Sequence, residues 1–453
     1  MLTARGRRYV LLAIALISIT IAIVVDGRTK GIVRERYNKY KGTIPPIEPK
    51  EKEIAQPKYL LQPEQVPPPV VDPFPSLATS PPPPIPKWNV APKNLYKKYG
   101  LDYAPPLFIG FTRGWPLLLQ VVVSWITAGW PAEHIYVIEN TGTQWANPRG
   151  KLSLQNPFYL NHGLLKRLGV NVIQTPVLLN FAQLQNFYTH LAHEHKWPQY
   201  FWSHMDIIVF SWEDGGDGRP RAGEKGYKTI YENALAELNT TRHSNERWAT
   251  RFFAYDAFTL VNREAYDEVG GWDTYIPYYI TDCDMHNRLN MHNWTLSDRG
   301  AGIITDVSTV LKDLRALYRD SSAELGFTDP NPPPPEPESE NKEASINQGE
   351  PDIPKEDGES ADKWYWRKLL RTVDQMGRYK HGNRGRNTWQ IGQKGGEKEP
   401  FYYPAHGVQK AFEMLAEAGR QIYAEKWGHR NCELIGEGKL KLEDQWRVAH
   451  DWE

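Results

Sequence analysis

The sequence predicts an α/β protein built on a mostly parallel sheet. One observation is alternation: between Leu107 and Ser211 short apolar runs of strand length take turns with stretches of helical spacing. The other is where the apolar runs stop. They end in polar or glycine residues, as strands do whose carboxyl ends border a ligand crevice.

Taken in order, "PLFIGFTR" reads as a first strand, and "PLLLQVVVSWITAGW" has the apolar density of a helix. "HIYVIENTGT" and "NVIQTP" read as the second and third strands. "NFAQLQNFYTHLAHEH" brings Phe181, Leu184, Phe187, Tyr188 and Leu191 back at spacings of three and four, one face of a helix. "QYFWSHMDIIVFS" reads as a single fourth strand.

The flanks read differently. Residues 9–25 form an apolar run of membrane-spanning length at its short limit, preceded by Arg5, Arg7 and Arg8. The expectation is an uncleaved anchor: residues 1–8 as a cytoplasmic tail, 9–25 in the membrane and the rest lumenal. A cleaved signal peptide is the competing reading, disfavoured by run length and a poor cleavage site. Residues 26–104 are proline-rich and read as a semi-rigid stem. Residues 105–328 carry the strand–helix alternation. Residues 329–362 hold eleven acidic residues against two lysines and read as a disordered insertion. Residues 363–453 follow as a basic and helical region. In it Trp366, Leu369, Leu370, Val373 and Met376 have helical spacing, and a last amphipathic helix runs from about 407 to 427. The basic run reads either as a solvated helix face or as a lobe meeting a phosphate-bearing ligand.

Composition narrows the function. With 54 basic and 54 acidic residues there is no charge excess to hold nucleic acid. Two cysteines, Cys283 and Cys432, are too few for a disulfide framework, and nothing in the sequence says whether they pair. Seventeen Trp fit an aromatic core and equally fit sugar-binding faces. Sequons at Asn239 and Asn293 are compatible with a lumenal location.

Two stretches carry candidate chemistry. In "YFWSHMDIIVF", His204 and Asp206 stand two apart in a strand, pointing to one side, a pair compatible with a divalent cation. A carboxylate capping the next turn is the plainer reading. In "GGWDTYIPYYITDCDMHNRL", two glycines permit a tight turn, and Asp282 and Asp284 fall in the first turn of a helix with Arg288 placed to pair with Asp284.

Residues 107–306, with these two stretches in this order, resemble the GT-A fold glycosyltransferases, family-2-like and β-1,4-galactosyltransferase-like inverting enzymes in particular. The Gly-Gly-aromatic-Asp turn, the acids and Arg-Leu in "FFAYDAFTLVNREAYDEVGGWDTYIPYYITDCDMHNRL" carry most of the resemblance. It implies a membrane-anchored hexosyltransferase of the Golgi or endoplasmic reticulum, with a nucleotide-sugar donor, a glycan or glycoconjugate acceptor and a divalent metal such as Mn²⁺. It assigns Asp282 as the general base. Arg113, Glu139, Asn140 and Asp206 fall to the donor, Trp272 and Asp273 to sugar or acceptor, and Asp206, His204 and Asp306 to the metal. His381, His406 and His429 are alternatives for the third ligand. The chain departs from the pattern where His204 replaces the first acid of Asp-X-Asp and Thr281 replaces the Glu before Asp282. Those departures keep open an inactive relative that binds a glycan or acts as a scaffold, and a retaining enzyme on the same fold.

Overall fold

The computed structural model describes residues 69–330, 348–382, 395–396, 398–400 and 405–452, with short stretches between 16 and 59. The chain divides into residues 1–64 and 65–453. In the first unit, the described residues between 16 and 39 are helical. The anchor expected over 9–25 lies outside the described residues except for 16–18, and no described helix is long and apolar enough to cross a membrane.

The second unit follows the predicted alternation. Its strands in chain order are β1 (Leu107–Phe111), β2 (Ile135–Glu139), β3 (Asn171–Gln174), β4 (Gln199–Ser203), β5 (Ile207–Phe210), β6 (Trp248–Phe253), β7 (Phe258–Asn262), β8 (Thr295–Arg299) and β9 (Ile303–Asp306). Helices α1 (Trp115–Thr127), α2 (His162–Arg167) and α3 (Phe181–Glu194) make the crossovers between the first four, and α4 (Ile230–Arg242), α5 (Arg263–Glu268) and α6 (Thr281–Met291) follow. A seven-stranded sheet results, ordered β3-β2-β1-β4-β7-β6-β8. β3, β2, β1 and β4 are parallel, and β7 enters antiparallel to both β4 and β6.

The period of two along β1 explains its two-sided burial. Leu107, Ile109 and Phe111 join the core that contains α1, while Phe108 joins the core that contains α3. At Gly110 the α3 face comes so near that an added Cβ would meet the Tyr188 hydroxyl at 2.5 Å. Asn180 starts α3 with a capping box: its side chain accepts from Gln183 N, and the Gln183 side chain accepts from Asn180 N.

Three expectations need correction. The run 199–211 is two strands, because β4 stays in the main sheet while β5 leaves it to pair antiparallel with β9. Both halves are apolar and buried, and the polar Ser203, His204 and Asp206 between them mark the break. The described part of the expected stem, 69–104, packs on the sheet domain rather than standing off it. Phe74 and Leu77 are buried, Leu314 N donates to Pro73 O, and the buried Asn89 side chain donates to Thr127 O. Its prolines bring no N–H of their own, which leaves carbonyls such as Pro73 O for a neighbouring surface. Finally, the basic stretch after 362 is no solvated helix alone. Helix α7 (Ala361–His381) sends Trp366, Leu369, Val373 and Met376 into the same core as β5. Of the acidic segment, 331–347 lie outside the described residues. Residues 348–360 are held, with Phe327 N donating to Gln348 O and Glu359 paired to Arg367.

The C-terminal helix α8 (Ala405–Trp427) ends at Gly428, whose φ is 69°. Beyond it Cys432 is disulfide-bonded to Cys283, tying the tail to the helix that holds the acidic pair.

Candidate functional site

The strand break is what builds the site. Strand β4 ends at Ser203, whose hydroxyl accepts from Trp125 Nε1 and donates to the His204 carbonyl. The chain then turns through His204–Asp206 before β5. In the β5–β9 ladder Ile207 faces Asp306, and Val307 N donates to Asp206 O. Asp206 and Asp306 are thereby neighbours, 100 residues apart in sequence.

The cation between them is a lysine. Lys380, in the last turn of α7, lies with Nζ 2.6 Å from Asp206 Oδ2 and 2.5 Å from Asp306 Oδ1. It is 2% exposed. His381 Nε2 stands 3.0 Å from the other Asp306 oxygen. Burial works against charge on Asp206, but Lys380 and then His204 outweigh it and hold the carboxyl below its usual range.

From there a polar chain runs across the sheet end. His204 Nδ1 is 3.7 Å from Asp206, and its Nε2 is 3.7 Å from Asp256. Burial pulls His204 down, yet the charges of Asp256 and Asp206 win over it and over Lys380, raising the imidazole to about 9. Asp256 also acts on His286, as does Asp282. There burial dominates and lowers the imidazole. Asp282 closes the chain, its Oδ2 accepting from the Tyr255 hydroxyl at 2.9 Å.

Asp282 and Tyr255 both sit beside unusual backbone. Helix α6 (Thr281–Met291) starts from Ile280 at φ 70°, with no side-chain cap. The buried Thr281 hydroxyl has no hydrogen-bond partner among the described residues. Ala254 and Tyr255 have φ of 61° and 52°. Left-handed backbone at a β-branched residue is strained, and such strain concentrates where a site needs a fixed geometry. The two acids in the first turn of α6 complement its dipole.

The two acids then part company. Asp284 is fully buried, accepts from Arg288 Nε at 2.8 Å and Trp427 Nε1 at 2.9 Å, and forms an ion pair with Lys426 Nζ 2.6 Å away. Arg288 also donates to Val269 O and Gly271 O, so the pair pins the glycine turn to α6. Gly270 and Gly271 have φ of 80° and 73°, as a tight turn requires.

Two assigned sugar contacts are corrected by this packing. Trp272 is 5% exposed, edge-on to Phe181 with centroids 5.5 Å apart, and its backbone is clamped by the Asn186 amide through both N–H and C=O. Its ring is core, not platform. Asp273 is 2.7 Å from Lys426 Nζ, which overcomes burial and lowers its carboxyl. A residue at a polar turn next to a Trp reads the same from sequence whether it faces ligand or core.

The donor assignments fall near the strand ends but are differently engaged. Glu139 is fully buried at the end of β2, 2.9 Å from His162 Nε2 and 2.7 Å from the Asn147 amide. Asn140 clamps the Leu179 backbone and accepts from the Thr175 hydroxyl, which orders the approach to α3. Arg113 follows β1, and its charge acts on the Tyr278 hydroxyl. His429 is paired with Asp451, and the side chain of His406 lies outside the described residues.

The expected metal set does not fit as it stands. No group of three or more His, Cys, Asp or Glu able to hold a metal ion exists among the described residues. Lys380 Nζ lies where a cation shared by Asp206 and Asp306 would bind. Sequence reasoning missed Tyr255, Asp256, His286 and Lys380. The first two lie in the "FFAYDAF" stretch that carries the resemblance, while Lys380 stood in a basic run with nothing to single it out.

No family model matches the chain, and no curated protein matches it. Among solved structures, a mannosyltransferase from Pyrobaculum calidifontis in complex with GDP-Man and Mn²⁺ is similar at 8% identity and a TM-score of 0.29, over 45% of this chain and 60% of that one. A putative glucose-1-phosphate thymidylyltransferase from Bacillus anthracis is similar at 12% identity and 0.26, over 45% and 89%. A glycosyltransferase from Streptococcus pneumoniae is similar at 10% and 0.24, over 44% and 45%. The chain thus spans about 60% of the length of the mannosyltransferase.

Proposed function

We propose that the chain is a glycosyltransferase that moves a hexose from a nucleotide-sugar to a hydroxyl of a glycan or glycoconjugate, inverting the anomeric centre. One observation carries the reading. The β4–β5 break and the start of α6 place Asp206 and Asp282 at the two ends of one polar chain at the carboxyl edge of β4, where open α/β sheets take ligands.

In this reading the diphosphate lies toward His204, whose positive charge suits a leaving phosphate. Asp282 takes the proton of the acceptor hydroxyl as its oxygen bonds to the anomeric carbon. The bond from that carbon to the diphosphate breaks, and its electron pair leaves on the phosphate oxygen. Tyr255 holds the carboxylate in place through Oδ2. Membrane anchoring through residues 9–25 and a lumenal site belong to the same proposal and rest on the sequence alone. No step is assigned to a metal.

A second reading is a glycan-binding or scaffolding relative without turnover. Its specific support is the buried Trp272 and the Lys426-bound Asp273, which withdraw two expected sugar contacts. Calorimetric titration with UDP and with GDP tests the first reading. Saturable binding of one of them supports it and names the donor class, and absence of binding by both overturns it.

A further inference from the structure

The cation of this site is a side chain of the protein. We propose that Lys380 takes the place of a divalent ion between Asp206 and Asp306, so that the site binds its nucleoside diphosphate without metal. This rests on the nucleotide-sugar reading for its ligand but not for its cation.

The delivery of Lys380 is built into the fold. Trp366, Leu369, Val373 and Met376 fix α7 in the main core. Gly377 lets the helix close on β9, where an added Cβ would come within 2.9 Å of Thr305 Cγ2. One turn on, Lys380 reaches both carboxylates. Its ammonium has three protons and three acceptors: Asp206 at 2.6 Å, Asp306 at 2.5 Å and Val307 O at 3.3 Å. Lysine is almost never this buried unless paired, and here the pairing is complete.

Saturation defines the role. Lys380 has no proton left for a phosphate, so it acts as a positioning residue that offsets one of the two negative charges, with His204 and His381 beside the same acids. Without it, two adjacent carboxylates would face an incoming diphosphate. A metal entering the wild-type site would have to strand a buried ammonium, which is strongly unfavourable. Removing the ammonium should therefore both weaken diphosphate binding and create a metal site.

The test uses the full chain, with Mn²⁺ uptake read by electron paramagnetic resonance and UDP or GDP binding read by calorimetry, in EDTA and in Mn²⁺. Wild type is expected to take up no Mn²⁺ and to bind nucleotide within about twofold in the two conditions. Lys380→Met is expected to lose roughly tenfold or more of nucleotide affinity in EDTA, to regain it in Mn²⁺, and to bind the ion through Asp206, so that a further Asp206→Asn removes uptake. Stoichiometric Mn²⁺ uptake by wild type that Asp206→Asn abolishes overturns the proposal, and this arm needs no lysine variant to fold. Unchanged nucleotide affinity of folded Lys380→Met in EDTA overturns it too. If no nucleotide binds in any condition, the nucleotide-sugar reading falls, and Mn²⁺ uptake alone decides the cation.

Discussion

Exchanging Asp284 for Asn should cost stability, while the same exchange two residues earlier should cost activity. Asp284 is fully buried and faces three donors, two of them cations that are themselves 3% and 7% exposed at the side chain. Asn keeps the shape but removes the charge. That leaves Lys426 with Asp273, and Arg288 with backbone carbonyls and Met285 Sδ, among the described residues. Breaking a buried ion pair on one side costs about 3–5 kcal/mol, a large part of the 5–15 kcal/mol typical of a folded domain. Asp282 is half-buried, accepts one hydrogen bond from Tyr255 and sits in a first helical turn. Losing those interactions is worth about 1 kcal/mol. As a general base, however, it should carry a factor of about 10²–10⁴ in rate. Urea unfolding of both variants, followed by tryptophan fluorescence, reads the first effect; nucleotide release from the donor reads the second. An Asp284→Asn protein that unfolds at the wild-type urea midpoint would refute the buried-network argument. An Asp282→Asn protein as unstable as Asp284→Asn would refute the division of labour.

Other outcomes follow from the same geometry. The Cys283–Cys432 bridge closes 149 residues, for which loop-closure entropy gives about 5 kcal/mol; Cys283→Ser with Cys432→Ser should lower the urea midpoint, and an unchanged midpoint contradicts it. His204 is raised from 6.5 to about 9, so its ion pairs contribute stability in full below pH 6.5 and lose it as pH rises through about 9. His204→Gln should flatten the pH dependence of unfolding in that window, and an unchanged slope rules the assignment out. Ala254 is exposed at φ 61°, so Ala254→Gly should raise stability by about 0.5–1 kcal/mol, where a loss would mean the residue is not strained.

Much of the sheet was legible in the sequence because local pattern and global fold agree there. β1, β2, β3 and α3 lie where period and punctuation put them, and Asn180 caps α3 in the manner of its residue type. The break at 204–206 is marked by the polar Ser203, His204 and Asp206, but that the second half leaves the sheet is decided by its pairing with β9, about 100 residues on, which spacing does not reveal. Asp206 stood out as a polar interruption, but Lys380, 174 residues away, could not be linked to it by spacing. Trp272 misled for a related reason. Burial of a turn residue is decided by what packs over it, here Phe181 and the Asn186 clamp, which are remote in sequence. The disulfide likewise depends on how α8 returns the tail to α6.

The decisive measurement is release of nucleoside diphosphate from UDP-hexose and GDP-hexose donors by wild type and Asp282→Asn, each first shown to bind the nucleotide equally. Wild-type release that falls by about 10²-fold or more in the variant, at unchanged binding, is the predicted result. Equal release by the two proteins, or none by wild type despite tight nucleotide binding, would contradict the role of Asp282 as the base.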